Sequence, residues 1–142
     1  MPLSYRIDRE RRTLFTRAAG VLGDEGLRLL WRVVLRDPEL SRRVNELHDL
    51  TGVTAVEISS ALVWEFADEM KVLDGSERHS GVKMATVAAR DVLYGLARMY
   101  ETLRAESSAE FGVFRSMAEA REWLGLPATR DDFDGDWKEV CS

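Results

Sequence analysis

The sequence predicts an α/β fold, a mixed sheet of about five strands with about four helices packed on it. Three observations carry this. The first is residues 81–103, GVKMATVAARDVLYGLARMYETL. Their apolar run at 82–89, interrupted only by Lys83 and Thr86, is the pattern of a strand buried on both faces. It leads into Leu93, Leu96, Tyr100 and Leu103 at helical spacing, with Asp91 as the expected N-cap. A strand feeding a helix in this way is half of a βαβ unit, and such units build parallel sheets. The second observation is a β-hairpin pattern at the N-terminus. The third is the alternation of helix and strand signals along the rest of the chain.

In order, residues 4–7 and 13–19 read as two strands joined by the charged turn DRERR, the second ending near Gly20. GVLGDEG at 20–26 is then a turn, because its spacing fits neither nucleotide nor dinucleotide fingerprints and it lacks the lysine. Asp24 is placed to cap a helix whose buried stripe is Leu27, Leu30, Trp31 and Val34, widened by Leu29 and Val33. Asp37-Pro38 stops it. Residues 44–50, VNELHDL, are a second candidate core strand, which Thr51-Gly52 should break before a loop over 54–58. Ser59 or Ser60 can cap the next helix, with Leu62, Val63, Phe66, Met70 and Leu73 on its apolar face, and 74–80 is a polar loop. The strand at 82–89 should be the central one, with Lys83 at an end or edge of the buried region. Leu96 and Tyr100 should face the core. FGVFR at 111–115 is the last strand. Ser116 and Glu119 form a capping box for a helix through Ala120, Trp123 and Leu124, closed by Gly125 and Pro127.

The bulk properties narrow the function classes. At 142 residues the chain fits one domain, expected over 1–126 with an acidic tail at 127–142. With 45% apolar and 32% charged residues it is not globally disordered. A net charge of -5 argues against a general binder of nucleic acid or acidic membranes. No stretch approaches the ~20 apolar residues of a membrane span. The N-terminus has no secretory apolar core, so a cytoplasmic protein is the default expectation. The single cysteine, Cys141, forms no intrachain disulfide and no multi-cysteine zinc site.

Catalytic groups do not stand out, and no metal or cofactor is expected. His48, in a strand, and His79, in a polar loop, read as structural or solvated. Cys141 lacks the electropositive setting of a nucleophile. DDFDGDW in the tail is no calcium loop. With Gly135 at the turn position, Arg130 and Cys141 fall where acidic ligands belong. Phe133, Trp137 and Val140 recur at close to helical spacing, so the tail is either solvated or a segment that docks on its own domain or a second subunit. Asp49 is the best isolated carboxylate, at the C-terminal end of its strand, where ligands of open α/β sheets gather. Ser59-Ser60 opens a helix, where free amides would accept a phosphate's charge.

Three segments resemble the STAS fold of sulphate transporters and anti-sigma-factor antagonists, and more closely an uncharacterised bacterial SpoIIAA-like branch. They are the hairpin with Gly20-Val21-Leu22, HDLTGVTAVEISSALV at 48–63, and VAARDVLYGLARMYETL through VFRSMAEAREWLG at 87–125. The resemblance implies a SpoIIAA-like fold, also grouped with Sec14-like lipid-binding folds. In anti-sigma-factor antagonists the helix after this strand begins with an aspartate, two serines and a glycine, and a partner kinase phosphorylates one serine. Laid on this chain, the segment is Glu57-Ile58-Ser59-Ser60, with Ser59 at the phosphorylated position. Glu57 stands for the aspartate, Ile58 for the first serine and Ser60 for the glycine. The implied function is a non-enzymatic regulatory or protein-interaction module with an unknown protein partner, and a homodimer stays open through the tail. Its face would lie around Ser59, Ser60, Glu57 and Asp49. The alternative is a module holding a small apolar or lipid-like ligand between sheet and helices.

Overall fold

The structure, a computed structural model, describes residues 3–41, 43–71, 81–127 and 137–141. The chain runs β1 (Leu3–Asp8), β2 (Thr13–Gly23), α1 (Asp24–Leu35), a 3-10 turn (Pro38–Ser41), β3 (Asn45–Glu57), α2 (Ser60–Met70), β4 (Lys83–Val87), α3 (Asp91–Leu103), β5 (Glu110–Phe114), α4 (Met117–Leu124) and β6 (Lys138–Cys141). The six strands form one mixed sheet in the order β5-β4-β3-β2-β1-β6. β1 pairs antiparallel with β2, and β2 through β5 are parallel neighbours, each joined to the next by a helix. This is the predicted hairpin followed by βαβ crossovers.

Side-chain alternation divides the sheet into two faces. Leu14, Thr16, His48, Met84 and Thr86 point to the side covered by α1, α2 and α3. Phe15, Leu47, Ala85 and Val87 point to the other side, where Ala120 and Trp123 of α4 cover them. Lys83 opens β4 half-buried, its Nζ donating to the Trp123 carbonyl at 3.2 Å, the expected end position. The strand expected at the centre is interior, paired on both sides, but β3 and β2 occupy the middle of the sheet.

Four other expectations need correction. β3 does not stop at Thr51-Gly52, and 54–58 is not a loop, since the strand continues to Glu57. β2 likewise runs to Gly23, so GVLG is strand rather than turn. The β2–β3 register slips between Arg17 and Ala19 and again between Gly20 and Val21, each time with an extra residue on β3. These are β-bulges, which let a polar, glycine-bearing segment stay paired. At the first, Gly52 passes so close to β2 that a Cβ would lie 3.1 Å from the Ala18 carbonyl oxygen. At the second, Gly20 takes φ +74°, open to glycine. Third, Asp24 and Asp91 are the first helical residues rather than N-caps. The caps are Gly23 and Arg90, and both carboxylates bond elsewhere. Fourth, where the tail is described, its near-helical spacing is not a helix. Residues 138–141 form β6, which adds to the β1 edge. Trp137 packs under Arg17, whose guanidinium lies 4.0 Å from the ring centroid, and Val140 joins the α1-side core. Phe133 lies outside the described residues, as do Leu73 and His79.

The caps read from sequence at Ser59, Ser116 and Gly125 are present. The Ser116 hydroxyl accepts the Glu119 amide at 3.3 Å and donates to its carboxylate at 2.9 Å, and Gly125 takes the left-handed conformation.

Candidate functional site

Two places compete. The first is the N-terminus of α2. Ser59 is its N-cap, the hydroxyl accepting the Leu62 amide at 3.1 Å. Asp24, at the start of α1, grips the same residue. Its Oδ1 accepts the Ser59 amide at 2.9 Å and its Oδ2 accepts the Ser59 hydroxyl at 2.8 Å. The Ser59 amide first, then its hydroxyl and the Arg28 guanidinium, hold the Asp24 carboxyl below the ordinary carboxylate range. Arg28 also bridges Glu65 of α2 at 3.0 Å, so the two helix starts are stitched side by side. Ser60 and Glu57 are exposed nearby.

Asp49 does not join them. It stands opposite Val87, the last residue of β4, and Glu57 lies eight residues further along β3, on the order of 25 Å away. Its Oδ1 accepts the amide of Thr51 at 3.0 Å and the hydroxyl at 2.6 Å. It thereby satisfies a backbone donor at the first bulge, a structural use. The polar stretch Asn45–Asp49 therefore does not bring carboxylates to the serines. The nearby acids are Asp24 and Glu57.

The second place is a cavity of about 150 Å³ between the sheet and the three helices on its face. Its walls are mostly apolar, with Leu30 and Trp31 from α1, Phe66 from α2 and Leu96 from α3 among them. Leu96 and Tyr100 do turn inward, but they are half-buried and line this space instead of filling a core, while Leu93 is the buried residue of α3. On the sheet side lies a polar line. Thr16 Oγ1 is 2.7 Å from His48 Nδ1, and His48 Nε2 is 2.9 Å from Glu46 Oε1. Thr16 is 2% exposed and Glu46 9%. Trp31 meets the imidazole edge-on at 5.3 Å and Phe66 at 6.5 Å. With the imidazole hydrogen on Nε2, Glu46 accepts it and Nδ1 accepts the Thr16 hydroxyl.

His48 is thus the site residue that the sequence reads as structural or solvated. Its signal in the sequence is a histidine between Glu46 and Leu50 on one face of a candidate core strand. Its partner Thr16 lies on another strand and becomes its neighbour only through the β2–β3 register. Nucleophile, base and acid stand in line here as in an acyl-transfer triad. The resemblance stops at the backbone. At Thr16, β2 pairs with strands on both sides, so the amides there are committed to the ladder and form no oxyanion hole.

Among the described residues no group of histidine, cysteine and acidic side chains could hold a metal ion, and no helix is long and apolar enough to cross a membrane. No family model matches the chain, and no curated protein does. Among solved structures, the chain is similar to an uncharacterised protein of the DUF3478 family with a SpoIIAA-like fold from Shewanella loihica PV-4. The two are 18% identical with a TM-score of 0.52, over 87% of this chain and 95% of that one. At that identity the likeness shows the fold. The chain has the SpoIIAA-like fold that its sequence resembles.

Proposed function

We propose that this domain is a non-enzymatic binding module that encloses a small apolar ligand between its sheet and α1, α2 and α3. The observation that carries the proposal is the 150 Å³ cavity, apolar over most of its wall with a few convergent polar groups. That is the anatomy of a small-molecule site, and a cavity of this size takes a molecule of about one aromatic ring. Native packing leaves few voids larger than a water molecule, so a space of this size between sheet and helices supports an occupant.

The phosphoswitch reading of Ser59 is weaker in this setting. A phosphate on that oxygen would stand where an ionised Asp24 now accepts a hydrogen at 2.8 Å, with Glu57 alongside. It would also remove one of the donors that tie α1 to α2, the Ser59 hydroxyl. A regulatory interaction surface at this end stands second, supported by the exposed Trp64 on α2.

The test is benzene binding to the full chain, followed by thermal shift and by quenching of Trp31, with native mass spectrometry of the protein as purified. Stabilisation by benzene in wild type, lost in Ala97→Leu, which fills the cavity wall, is the expected result. No shift with benzene and no copurifying molecule would overturn the proposal.

A further inference from the structure

We propose that the ligand of this cavity is a ring-sized aromatic alcohol whose hydroxyl is seated on Thr16, His48 and Glu46. This rests on the ligand-binding reading above and names the chemical class.

The hydrogen count of the polar line leads there. With the imidazole hydrogen on Nε2, that hydrogen goes to Glu46 and the hydroxyl hydrogen of Thr16 goes to His48. Every hydrogen in the line is spent inside it. What remains for the cavity is acceptor capacity, on Glu46 Oε2 and the lone pairs of Thr16 Oγ1. A ligand must therefore bring a hydrogen. Thr86 flanks His48 on the other side of the same row, on β4, and its rotatable hydroxyl also lines the cavity. A ligand hydroxyl uses both kinds of neighbour, donating to the line and accepting from Thr86. A hydrocarbon leaves buried acceptors unmatched. A carboxylate brings no hydrogen to this line, and its partner on the cavity wall would be Arg104.

The body of the ligand follows from the walls. Trp31, Phe66, Phe111 and Tyr100 present rings to the space, and Trp31 already makes edge contacts with His48 and Phe66. Edge-to-face packing favours another ring over an alkyl chain.

Phenol, benzene and benzoate, titrated into the full chain at pH 8 by calorimetry and NMR, test this. Phenol is expected to bind about threefold to tenfold tighter than benzene, the scale of one net hydrogen bond, and tighter than benzoate, which brings no hydrogen to the line. Thr16→Val, similar in shape without the hydroxyl, should reduce that preference and leave benzene unaffected. Should the variant fail to fold, the wild-type protein still decides the matter. The imidazole nitrogen resonances of His48 should move with phenol and stay with benzene. Benzene binding as tightly as phenol, or benzoate binding tightest, would overturn the aromatic alcohol while leaving the cavity as a ligand site. Failure of both benzene and phenol to bind would remove the site itself.

Discussion

At the residue scale, two side chains do work that their neighbours in sequence do not reveal. Ser59 caps α2 and anchors α1 through Asp24. Ser59→Ala should lower stability by about 1–2 kcal/mol in urea denaturation, the range of a lost N-cap. Ser59→Asp keeps a capping oxygen but sets a carboxylate against Asp24. Its melting temperature should fall as well, and that fall should shrink in high salt because the added effect is repulsion. Asp37 is the second case. Burial alone would raise its carboxyl, but hydrogen bonds from Lys138, Tyr5 and the Glu39 amide outweigh that and hold it down at about 2. Burial first, and then Asp37, push the Tyr5 phenol up. A depressed folded-state value stabilises the protein above the unfolded value of 3.8 and is lost as pH falls toward 2. The shift corresponds to ~2 kcal/mol. The stability gap between wild type and Asp37→Asn should be of that order at pH 7 and close between about pH 4 and 2.

At the element scale, α3 and β6 depart most from their sequence patterns. Leu96 lines the cavity half-exposed, so Leu96→Ala enlarges an existing space. It should cost about 1–2 kcal/mol, whereas Leu93→Ala, at a buried site, should cost about 2–5. Equal losses at the two positions would mean that the helix faces the sheet differently. β6 is only four residues long, yet it covers β1, otherwise an edge strand. Lys138 fastens it to Asp37 at 2.8 Å. Removing residues 128–142 should expose the unpaired edge of β1 and drive concentration-dependent self-association, visible by sedimentation velocity. A truncated chain that stays monomeric would show that the edge needs no cover.

At the scale of the whole molecule, the two faces of the sheet are built for different ends. The α4 face is closed by packed aromatic and aliphatic side chains, with Phe114 and Trp123 in contact at 5.4 Å. The face under α1, α2 and α3 keeps its central space open around a polar line. Stability and binding should therefore separate. Phe114→Ala should lower stability without altering the relative affinities of benzene and phenol, whereas Thr16→Val should alter that ratio most. If Phe114→Ala shifted the ratio as much, the two faces would be coupled and not independent.

The sequence alone determined whatever depends on a window of a few residues. The buried run at 82–89, the helical stripes after Asp24, Ser60 and Asp91, and the caps at Ser59, Ser116 and Gly125 are local consequences of side-chain period and backbone preference. The hairpin and the crossovers follow from short connections and from handedness. Tertiary structure decided the rest, because it depends on partners distant in sequence. β3 persists past Gly52 only because β2 lies alongside and the bulge is closed by Asp49. KEVC becomes a strand only because β1 offers an edge, and its acidic flank masks any local strand signal. Asp24 finds Ser59 across 35 residues, and Thr16 finds His48 across 32. Those two pairs belong to the two candidate sites. Both arise from the register of β2 on β3, where a slip of one residue would turn His48 to the opposite face of the sheet.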